Sequence, residues 1–346
     1  MATIKEVARR ARVSVGTVSN VLGGRVPVSS RLRERVLGVV RELDYHPNHV
    51  ARSLKMRQTK MLGMVISDIT NPFFPQLVRG AEDAAWKHHY MLITFNSDDQ
   101  LEREKLVLSA LRGRRVDGIL LVAATTEGDH THIRAAVDSG IPIVCLDRTV
   151  RGLTLDTVIV DNVTGARECV EHLISLGHRR IGILAGPLDL QVGRERLQGY
   201  KEALQKAGIP LDESLIAYSG FRVETSYPFA KKLLELDPPP SAIFTSNGMM
   251  ALGLFRAVHE AGLRCPEDLA IATFDDPPFS EAIRPQLTAV AQPSYQLGFQ
   301  GAELLIRRIQ EPSHKRTRLL LKTELKVRES SVGFAPLAAP ETWPAS

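Results

Sequence analysis

The sequence predicts a chain in two parts, a small helical head followed by an α/β body of two doubly wound lobes. Residues 3–43 place apolar side chains at helical spacing between strong capping signals. From Met61 onward, short apolar strands alternate with amphipathic helices, a pattern typical of right-handed βαβ units and parallel sheets. Ten candidate strands are many for one such sheet. We therefore predict an α plus α/β class with two lobes in the body.

Three short helices are predicted in the head. Thr3 and Glu6 have the spacing of a capping box, which predicts a helix through Ala11. Ser14 and Ser29 are candidate N-caps of the second and third helices. In the second helix the apolar side chains face inward at spacings of three and four residues, so a small polar set faces outward together. These outward residues are Gly16, Thr17 and Asn20.

The body is predicted from its alternating elements. Candidate strands are 61–67, 91–96, 117–123, 142–146, 157–160, 181–185, 215–219, 242–246, 269–274 and 287–291, with one more near 318–327. Candidate helices include 75–88, 100–112, 164–176, 193–207, 224–236, 249–261 and one near 296–309. Residues 332–346 are rich in Pro and Ala, and we expect a disordered tail.

Charge is distributed unevenly between the two parts. Residues 1–60 hold 13 Lys or Arg and 4 Asp or Glu, whereas the remainder holds 31 and 35. A basic head favours binding to a polyanion such as nucleic acid. Because no apolar run approaches the ~18 residues of a membrane span, we expect a cytoplasmic protein without membrane contact. The three cysteines have no metal-site spacing and are expected to be reduced thiols.

Polar and aromatic residues recur after the predicted strands. In open parallel sheets, ligands bind outside the carboxyl ends of the strands. Each residue alone could be a loop cap, but together they predict a pocket for a sugar or a similar small polar ligand. Asp68 and Arg148 are among these strand-end residues. The candidate ligand-binding residues are Asn71, Phe73, Phe74, Asp147, Asp161, Arg196, Phe221, Asn247 and Asp275.

Signatures of enzymes, cofactors and metals are missing from the sequence. We find no G-x-S-x-G elbow, no P-loop and no G-x-G-x-x-G that opens a helix after a strand. His88, His89, His130 and His132 lack matching carboxylates, so we expect surface histidines, no metal and no cofactor. We predict that the chain is not an enzyme.

With these residues in view, the chain resembles the LacI/GalR family of transcriptional regulators from Thr3 to about Ser331. The most specific motifs lie in the head, at 3–8, 13–19, 43–48 and 50–54. Supporting motifs in the body are Gly63-Met-Val-Ile, Asn71-Pro-Phe-Phe, Arg115-Val-Asp-Gly-Ile, Gly177-His-Arg-Arg-Ile-Gly and Arg196-Leu-Gln-Gly-Tyr. The resemblance implies a helix-turn-helix head and a body like the periplasmic sugar-binding proteins, with crossovers near Asp161, Gln292 and Lys322.

The resemblance also implies a domain organisation. Residues 1–47 would bind DNA, 48–60 would form a hinge helix and linker, and 61–331 would bind the effector and dimerise. Lobe 1 would comprise about 61–161 and 292–322, and lobe 2 about 162–291 and 323–331. The tail has prolines and no leucine heptads, which predicts a homodimer rather than a tetramer.

DNA-contacting residues follow from the same resemblance. Val15, Gly16, Thr17 and Asn20 map to the recognition helix, and hydroxyl groups beside them would hold phosphates. Gly16 departs from the family pattern because it has no side chain, so the operator would differ from the common type. Leu54 would wedge into the minor groove and kink the DNA, although its other interpretation is a core contact. The candidate DNA-binding residues are Thr3, Ser14, Val15, Gly16, Thr17, Ser19, Asn20, Ser29, Asn48, Ala51, Leu54 and Lys55.

The ligand anchors implied by the resemblance are Arg196 and Asp275, with aromatic walls at Phe73, Phe74 and Phe221. Leu190 and Val192 are apolar where purine-responsive relatives place polar groups, which argues against a purine. We predict a transcription factor that binds a pseudo-palindromic operator on double-stranded DNA and responds to a sugar. A repressor is favoured, and an activator, a co-repressor-dependent regulator or a sugar-binding protein without a regulatory role remain alternatives.

Overall fold

The structure, a computed structural model, describes residues 2–23, 28–45 and 58–332. The chain divides into two compact units, Met1–Thr59 and Lys60–Ser346. The predicted hinge residues Asn48, Ala51, Leu54 and Lys55, and the tail beyond Val332, lie outside the described residues.

Three helices build the described part of the head: α1 (Ile4–Ala11), α2 (Val15–Gly23) and α3 (Ser30–Glu42). The predicted cap of α1 is confirmed, because Thr3 Oγ1 accepts the Glu6 N–H at 3.3 Å. Ser14 Oγ likewise accepts the Thr17 N–H at 3.0 Å at the start of α2. Ser29 occupies the N-cap of α3 but makes no side-chain capping bond. Val7, Val18 and Val36, one from each helix, meet in the core.

Lobe 1 is built on a six-stranded parallel sheet of order β11-β5-β4-β3-β1-β2. Its strands are β1 (Met61–Ile66), β2 (Met91–Asn96), β3 (Gly118–Leu121), β4 (Ile143–Leu146), β5 (Asp156–Val160) and β11 (Arg318–Leu321). Its helices are α4 (Phe73–Lys87), α5 (Leu101–Gly113), α6 (Thr131–Asp138) and α11 (Ser294–Gln310). Apolar cores cover both faces, as expected for a buried parallel sheet.

Lobe 2 is built on a second six-stranded sheet, of order β12-β10-β9-β8-β6-β7, in which only β12 is antiparallel to its neighbour. Its strands are β6 (Ile181–Ala185), β7 (Ile216–Tyr218), β8 (Ala242–Thr245), β9 (Ala270–Phe274), β10 (Thr288–Ala291) and β12 (Glu324–Lys326). Its helices are α7 (Asn162–Ser175), α8 (Gln191–Lys206), α9 (Val223–Leu234) and α10 (Gly248–Glu260). Short 3₁₀ turns occupy Glu213–Leu215, Pro278–Glu281 and Glu329–Ser331.

The chain passes between the two sheets at three places. It leaves lobe 1 after β5, returns after β10 to form α11, and leaves again between β11 and β12. The single strand predicted near 318–327 is therefore wrong. Lys322 and Thr323 separate two strands that belong to different sheets. Helix α6 has no counterpart among the helices predicted from the sequence.

Candidate functional site

A cavity of about 350 Å³ opens between the lobes, at the carboxyl ends of the parallel strands. Strand-end loops of both sheets contribute to it, which is where ligands bind in open α/β folds. Eight of the predicted effector residues line this cavity. They are Asn71, Phe73, Phe74, Asp147, Arg196, Phe221, Asn247 and Asp275.

Asp161 is the predicted effector residue that the structure places elsewhere. It does not line the cavity, and its carboxylate accepts the Thr164 N–H at 3.0 Å to cap α7. Its position directly after β5 is a strand end, but here the chain turns at once into a helix of the other lobe. The carboxylate therefore serves the helix N-terminus.

Arg196 is the buried cation of the cavity, with 3% of its surface exposed. Its Nε donates to Asn162 Oδ1 at 3.0 Å and its NH1 donates to the Ser246 carbonyl at 2.6 Å. The guanidinium lies 3.9 Å from the ring centroid of Phe274 and 4.0 Å from Asp275 Oδ1. These contacts fix the guanidinium plane, so Arg196 presents its remaining N–H donors in a defined direction.

Asp147 and Asp275 occupy equivalent positions in the two lobes, directly after β4 and β9. Both have left-handed backbone, with φ of 64° and 69°, which turns the chain sharply at the strand end. Burial, helped by the charges of Asp275 and Asp99, raises the pKa of Asp147 to about 6 against the opposing effect of Arg148 and Arg196. Burial also raises the pKa of Asp275, against the opposing effect of Arg196. The cavity thus holds carboxylates that lack full solvation and can accept hydroxyl donors.

Gln292 and Arg148, which also line the cavity, contact these carboxylates. The Gln292 amide donates to Asp275 Oδ1. Arg148, which is buried, donates to Asp99 Oδ1 at 2.5 Å and to the Ala123 carbonyl at 3.0 Å, and its Nε lies 3.4 Å from Asp147 Oδ2. Its charge is therefore committed to holding two loops of lobe 1 together.

Aromatic rings form the apolar walls. Phe73 and Phe74 meet edge to face at 5.0 Å between centroids, at the start of α4. Phe221 of lobe 2 packs closely over Gly186, where an added Cβ would come within 2.3 Å of the ring. Asn247 holds that wall, because its amide donates to the Phe221 carbonyl at 3.2 Å while its oxygen caps α10 through the Met250 N–H at 2.8 Å. Apolar walls around clustered acceptors and donors suit a small polyhydroxylated ligand.

Two strand-end residues outside the final candidate set, Asp68 and Arg148, also line the cavity. The lining residues Asp98, Asp99, Arg222 and Gln292 were not predicted as ligand contacts. Asp98 and Asp99 directly follow the β2 region, so the strand-end rule that found the others applies to them as well. At the mouth, Arg222 of lobe 2 reaches Asp68 at 3.4 Å and Asp98 at 3.5 Å in lobe 1. These contacts tie the two lobes together across the opening.

The expectation that all four singled-out histidines lie on the surface is wrong for His130 and His132. His130 is buried, and His132 is half-buried with 9% of its side chain exposed. His132 Nε2 lies 2.6 Å from Glu104 Oε1, and the other oxygen of Glu104 accepts the Ala124 N–H. Within the described ranges, no group of three or more His, Cys, Asp or Glu side chains could hold a metal ion. Within the same ranges, no helix is long and apolar enough to cross a membrane. Cys145 and Cys169 are buried and Cys265 is half-buried, all as free thiols.

The head presents the predicted polar face on α2. Val15, Gly16 and Ser19 are exposed, and Thr17 and Asn20 are half-exposed. Val18 and Val21 on the opposite face are buried, so the structure confirms the predicted division of this helix. The predicted phosphate contacts Thr3, Ser14 and Ser29 are exposed as well. A short helix that offers small polar side chains next to helix N-termini has the form of a major-groove reader.

Comparison with known families and proteins agrees with both parts. A model of the bacterial regulatory proteins of the lacI family matches residues 3–48, and a model of the periplasmic binding protein-like domain matches residues 170–331. The ribose operon repressor of Haemophilus influenzae is 36% identical over 332 residues, which cover 95% of this chain and 98% of that protein.

Two solved structures extend the comparison. A LacI family transcriptional regulator from Enterococcus faecium with bound ribose is 32% identical, with a TM-score of 0.71, and the match covers 80% of this chain and 100% of that one. The Lac repressor dimer bound to operator and an anti-inducer is 27% identical, with a TM-score of 0.85, and the match covers 96% and 99%. The chain belongs to the LacI family of bacterial regulatory proteins.

Proposed function

We propose that this LacI-family regulator is a repressor that leaves its operator when an aldopentose, ribose first among them, binds in the cavity between the lobes. The observation that carries the proposal is the cavity itself. The buried Arg196 and the carboxylates of Asp147 and Asp275 converge there against phenylalanine walls. As a transcriptional regulator of this family, the chain is not an enzyme.

The chemistry of the cavity supports a neutral sugar. The carboxylates of Asp147 and Asp275 accept hydrogen bonds from ring hydroxyls, and Arg196 donates to ring or hydroxyl oxygens. Phe73 and Phe221 cover the C–H faces of a sugar ring. A purine would meet Leu190 and Val192, which line the cavity and offer no polar side-chain atom.

The relatives support ribose in particular. One is named a ribose operon repressor and is 36% identical across nearly the whole chain. Another was solved with ribose bound, and the match covers that protein's full length. The eight predicted residues that line the cavity are the ones we assign to the effector.

On the DNA side, we assign residues 1–47 to operator binding, 48–60 to the hinge, and 61–331 to the effector and dimer functions. Two copies would bind the halves of a pseudo-palindrome about one helical turn apart, as two-fold dimers of helix-turn-helix proteins do. Gly16 and Asn20 would read bases sparsely, so hydroxyl contacts to phosphates and the wedge at Leu54 would contribute much of the affinity. We place the protein in the cytoplasm, at the nucleoid.

The direct test uses the full-length protein and an operator obtained by in vitro selection from random duplexes. Fluorescence anisotropy would follow operator binding as ribose, arabinose, xylose, glucose and adenine are added in turn. We expect ribose to lower operator affinity and adenine to leave it unchanged. If adenine alone releases the operator, the proposed class of effector is wrong; if ribose tightens binding, the protein is ribose-dependent for repression rather than ribose-induced.

A further inference from the structure

Helix α8 carries Arg196 and begins at the boundary between the lobes. Its N-cap residue, Leu190, has no side chain that can cap the helix. The first N–H of the helix, that of Gln191, instead donates to Thr126 Oγ1 of lobe 1 at 2.9 Å. The orphan donor at the start of this helix is therefore satisfied from the other lobe.

The Gln191 side chain makes a second connection to lobe 1. Its Oε1 accepts both the N–H of Thr149 at 2.9 Å and the Thr149 hydroxyl at 2.5 Å. Thr126 is buried, and Thr149 and Gln191 are half-buried. Three hydrogen bonds thus join one residue of lobe 2 to two loops of lobe 1.

A chain of hydrogen bonds continues from Gln191 to the cavity. Gln191 Nε2 donates to Glu195 Oε1 at 2.6 Å, and Asn162 Nδ2 donates to Glu195 Oε2 at 3.0 Å. Asn162 Oδ1 then accepts Arg196 Nε at 3.0 Å. The path runs from lobe 1 through Gln191, Glu195 and Asn162 to the Arg196 guanidinium that lines the cavity.

Glu195 fixes the direction of both amides in this path. An ionised carboxylate only accepts, so the NH₂ groups of Gln191 and Asn162 must both point toward it. The amide oxygen of Gln191 is then turned toward Thr149, and that of Asn162 is turned toward Arg196. Each group has one orientation that satisfies all its partners, so the network is either complete or leaves polar groups unpaired.

From this geometry we propose that Gln191 is a positioning residue through which lobe 1 holds Arg196 in place, so that effector binding and lobe closure stabilise each other. Separation of the lobes removes the cap of α8 and breaks the path at Thr149. The anchor then loses the support that fixes its plane. This inference rests on the proposed function in one respect, namely that Arg196 contacts the effector.

A ligand-free measurement tests the contact itself. Hydrogen–deuterium exchange with mass spectrometry would compare the wild type with Gln191→Met, a chain of similar length without the amide. Loss of the acceptor leaves the Thr149 N–H unpaired, so exchange in a peptide covering 147–151 should be faster. Gln198→Met is the matched control, because Gln198 lies on the same helix and bonds only Glu202 on the exposed surface. Unchanged exchange at 147–151 in Gln191→Met would overturn the inference without any sugar being present.

A second measurement tests the effect on the anchor. By calorimetry we expect Gln191→Met to weaken ribose binding by about ten-fold, the size typical of an unpaired buried polar group. Thr149→Val keeps the backbone N–H and should show a smaller loss, and the double variant should lose less than the sum of the two. Strict additivity would mean that the two residues act separately, against the inference.

The two proposals fail in different ways. If the wild type does not bind ribose, the assigned effector is wrong. The exchange experiment still shows whether Gln191 connects the two lobes. If the wild type binds ribose and Gln191→Met binds it equally well, the effector stands and the positioning role does not. Should Gln191→Met fail to fold, Thr126→Val removes the other inter-lobe acceptor, and faster exchange in the first turn of α8 is expected.

Discussion

At the scale of single residues, the site depends on acidic side chains placed where the backbone turns sharply. Asp147 and Asp275 each follow a buried strand with left-handed φ, so their carboxylates project into the cavity and cannot reach bulk water freely. Their raised pKa values record that cost. A hydroxyl group of a ligand would donate a hydrogen bond to the carboxylate and so replace the hydration that burial removes.

Asp275→Asn should therefore reduce the response to ribose without changing the operator affinity of the ligand-free protein. Asn tolerates the left-handed backbone at this position, but the charge beside Arg196 is lost. A hydrogen bond to a charged group is worth about 1.5–3 kcal/mol, which predicts ribose binding weaker by roughly ten- to a hundred-fold. Calorimetry measures it, with the exposed Asp268→Asn as control. If Asp275→Asn binds ribose with wild-type affinity, the ribose site does not include Asp275.

Asp147 gives a prediction about pH. Its folded pKa of about 6 lies above the ordinary value near 3.9, so the native state holds the proton more tightly than the unfolded chain. Stability contributed by this group is then highest below about pH 4 and falls as pH rises to about 6. The Asp147→Asn variant cannot ionise at this position, so its stability does not fall with pH for this reason. The difference in unfolding free energy, variant minus wild type, should grow by about 2–3 kcal/mol between pH 4 and 7. Urea unfolding at several pH values measures it, and a flat difference would contradict the shift.

The sequence predicted which residues line the cavity where position along the chain decides their location. The position directly after a parallel strand places Asp147, Asn247 and Asp275 at the cavity, because strand ends share one edge of the sheet. The same position does not place Asp161 at the cavity, because its carboxylate caps a helix. His132 pairs with Glu104, a residue 28 positions away, and no local pattern reports such a pairing.

At the scale of elements, the closest packing in lobe 1 joins α4 and α11. A Cβ added at Gly298 would lie 1.9 Å from the Leu77 carbonyl oxygen, and one at Gly80 would lie 2.0 Å from that of Tyr295. Glycine is required at these positions because backbone faces backbone. Since α11 follows the crossover after β10, this packing also fixes where the chain re-enters lobe 1.

Gly298→Ala should destabilise the protein, although Ala favours helix more than Gly does. The clash is with backbone, so the helices must separate, and overpacking of this kind costs about 1–3 kcal/mol. Gly113→Ala is the control in the same lobe, since an added Cβ there meets nothing within 4 Å. We expect the control to be neutral or slightly stabilising in thermal unfolding. Equal stability of the two variants would contradict the close approach.

Element prediction from sequence succeeded for long periodic helices and failed for short segments. Apolar side chains alternate along the segment near 318–327, which reads as one strand. In the structure, Lys322 and Thr323 carry the chain from one sheet to the other within that segment. Helix α6 spans only Thr131–Asp138, too short for its periodicity to stand out between two strands. In both segments, the connections between elements in the folded protein determine the structure, and the local sequence pattern does not show them.

At the scale of the whole molecule, three crossings join the two lobes that line the cavity, so relative movement of the lobes changes the shape of the cavity directly. The same arrangement makes the cavity sensitive to inter-lobe contacts such as those of Gln191 and Arg222. In a regulator of this family the movement must reach the DNA, and two subunits acting together provide a fixed spacing between two heads.

We expect the protein to be a dimer in solution. A two-fold dimer presents one head to each half of a pseudo-palindromic operator. Light scattering should give twice the chain mass of 38.2 kDa. A mass of four chains would show that another surface assembles the tetramer.

We propose that ribose bound in the cavity and operator bound at the head each lower the protein's affinity for the other, through one coupling free energy. The measurement that tests it most directly determines operator affinity with and without saturating ribose, and ribose affinity with and without saturating operator. We expect both affinities to fall by the same factor, roughly 5–150-fold for typical allosteric coupling. An operator affinity that is unchanged by saturating ribose would contradict it.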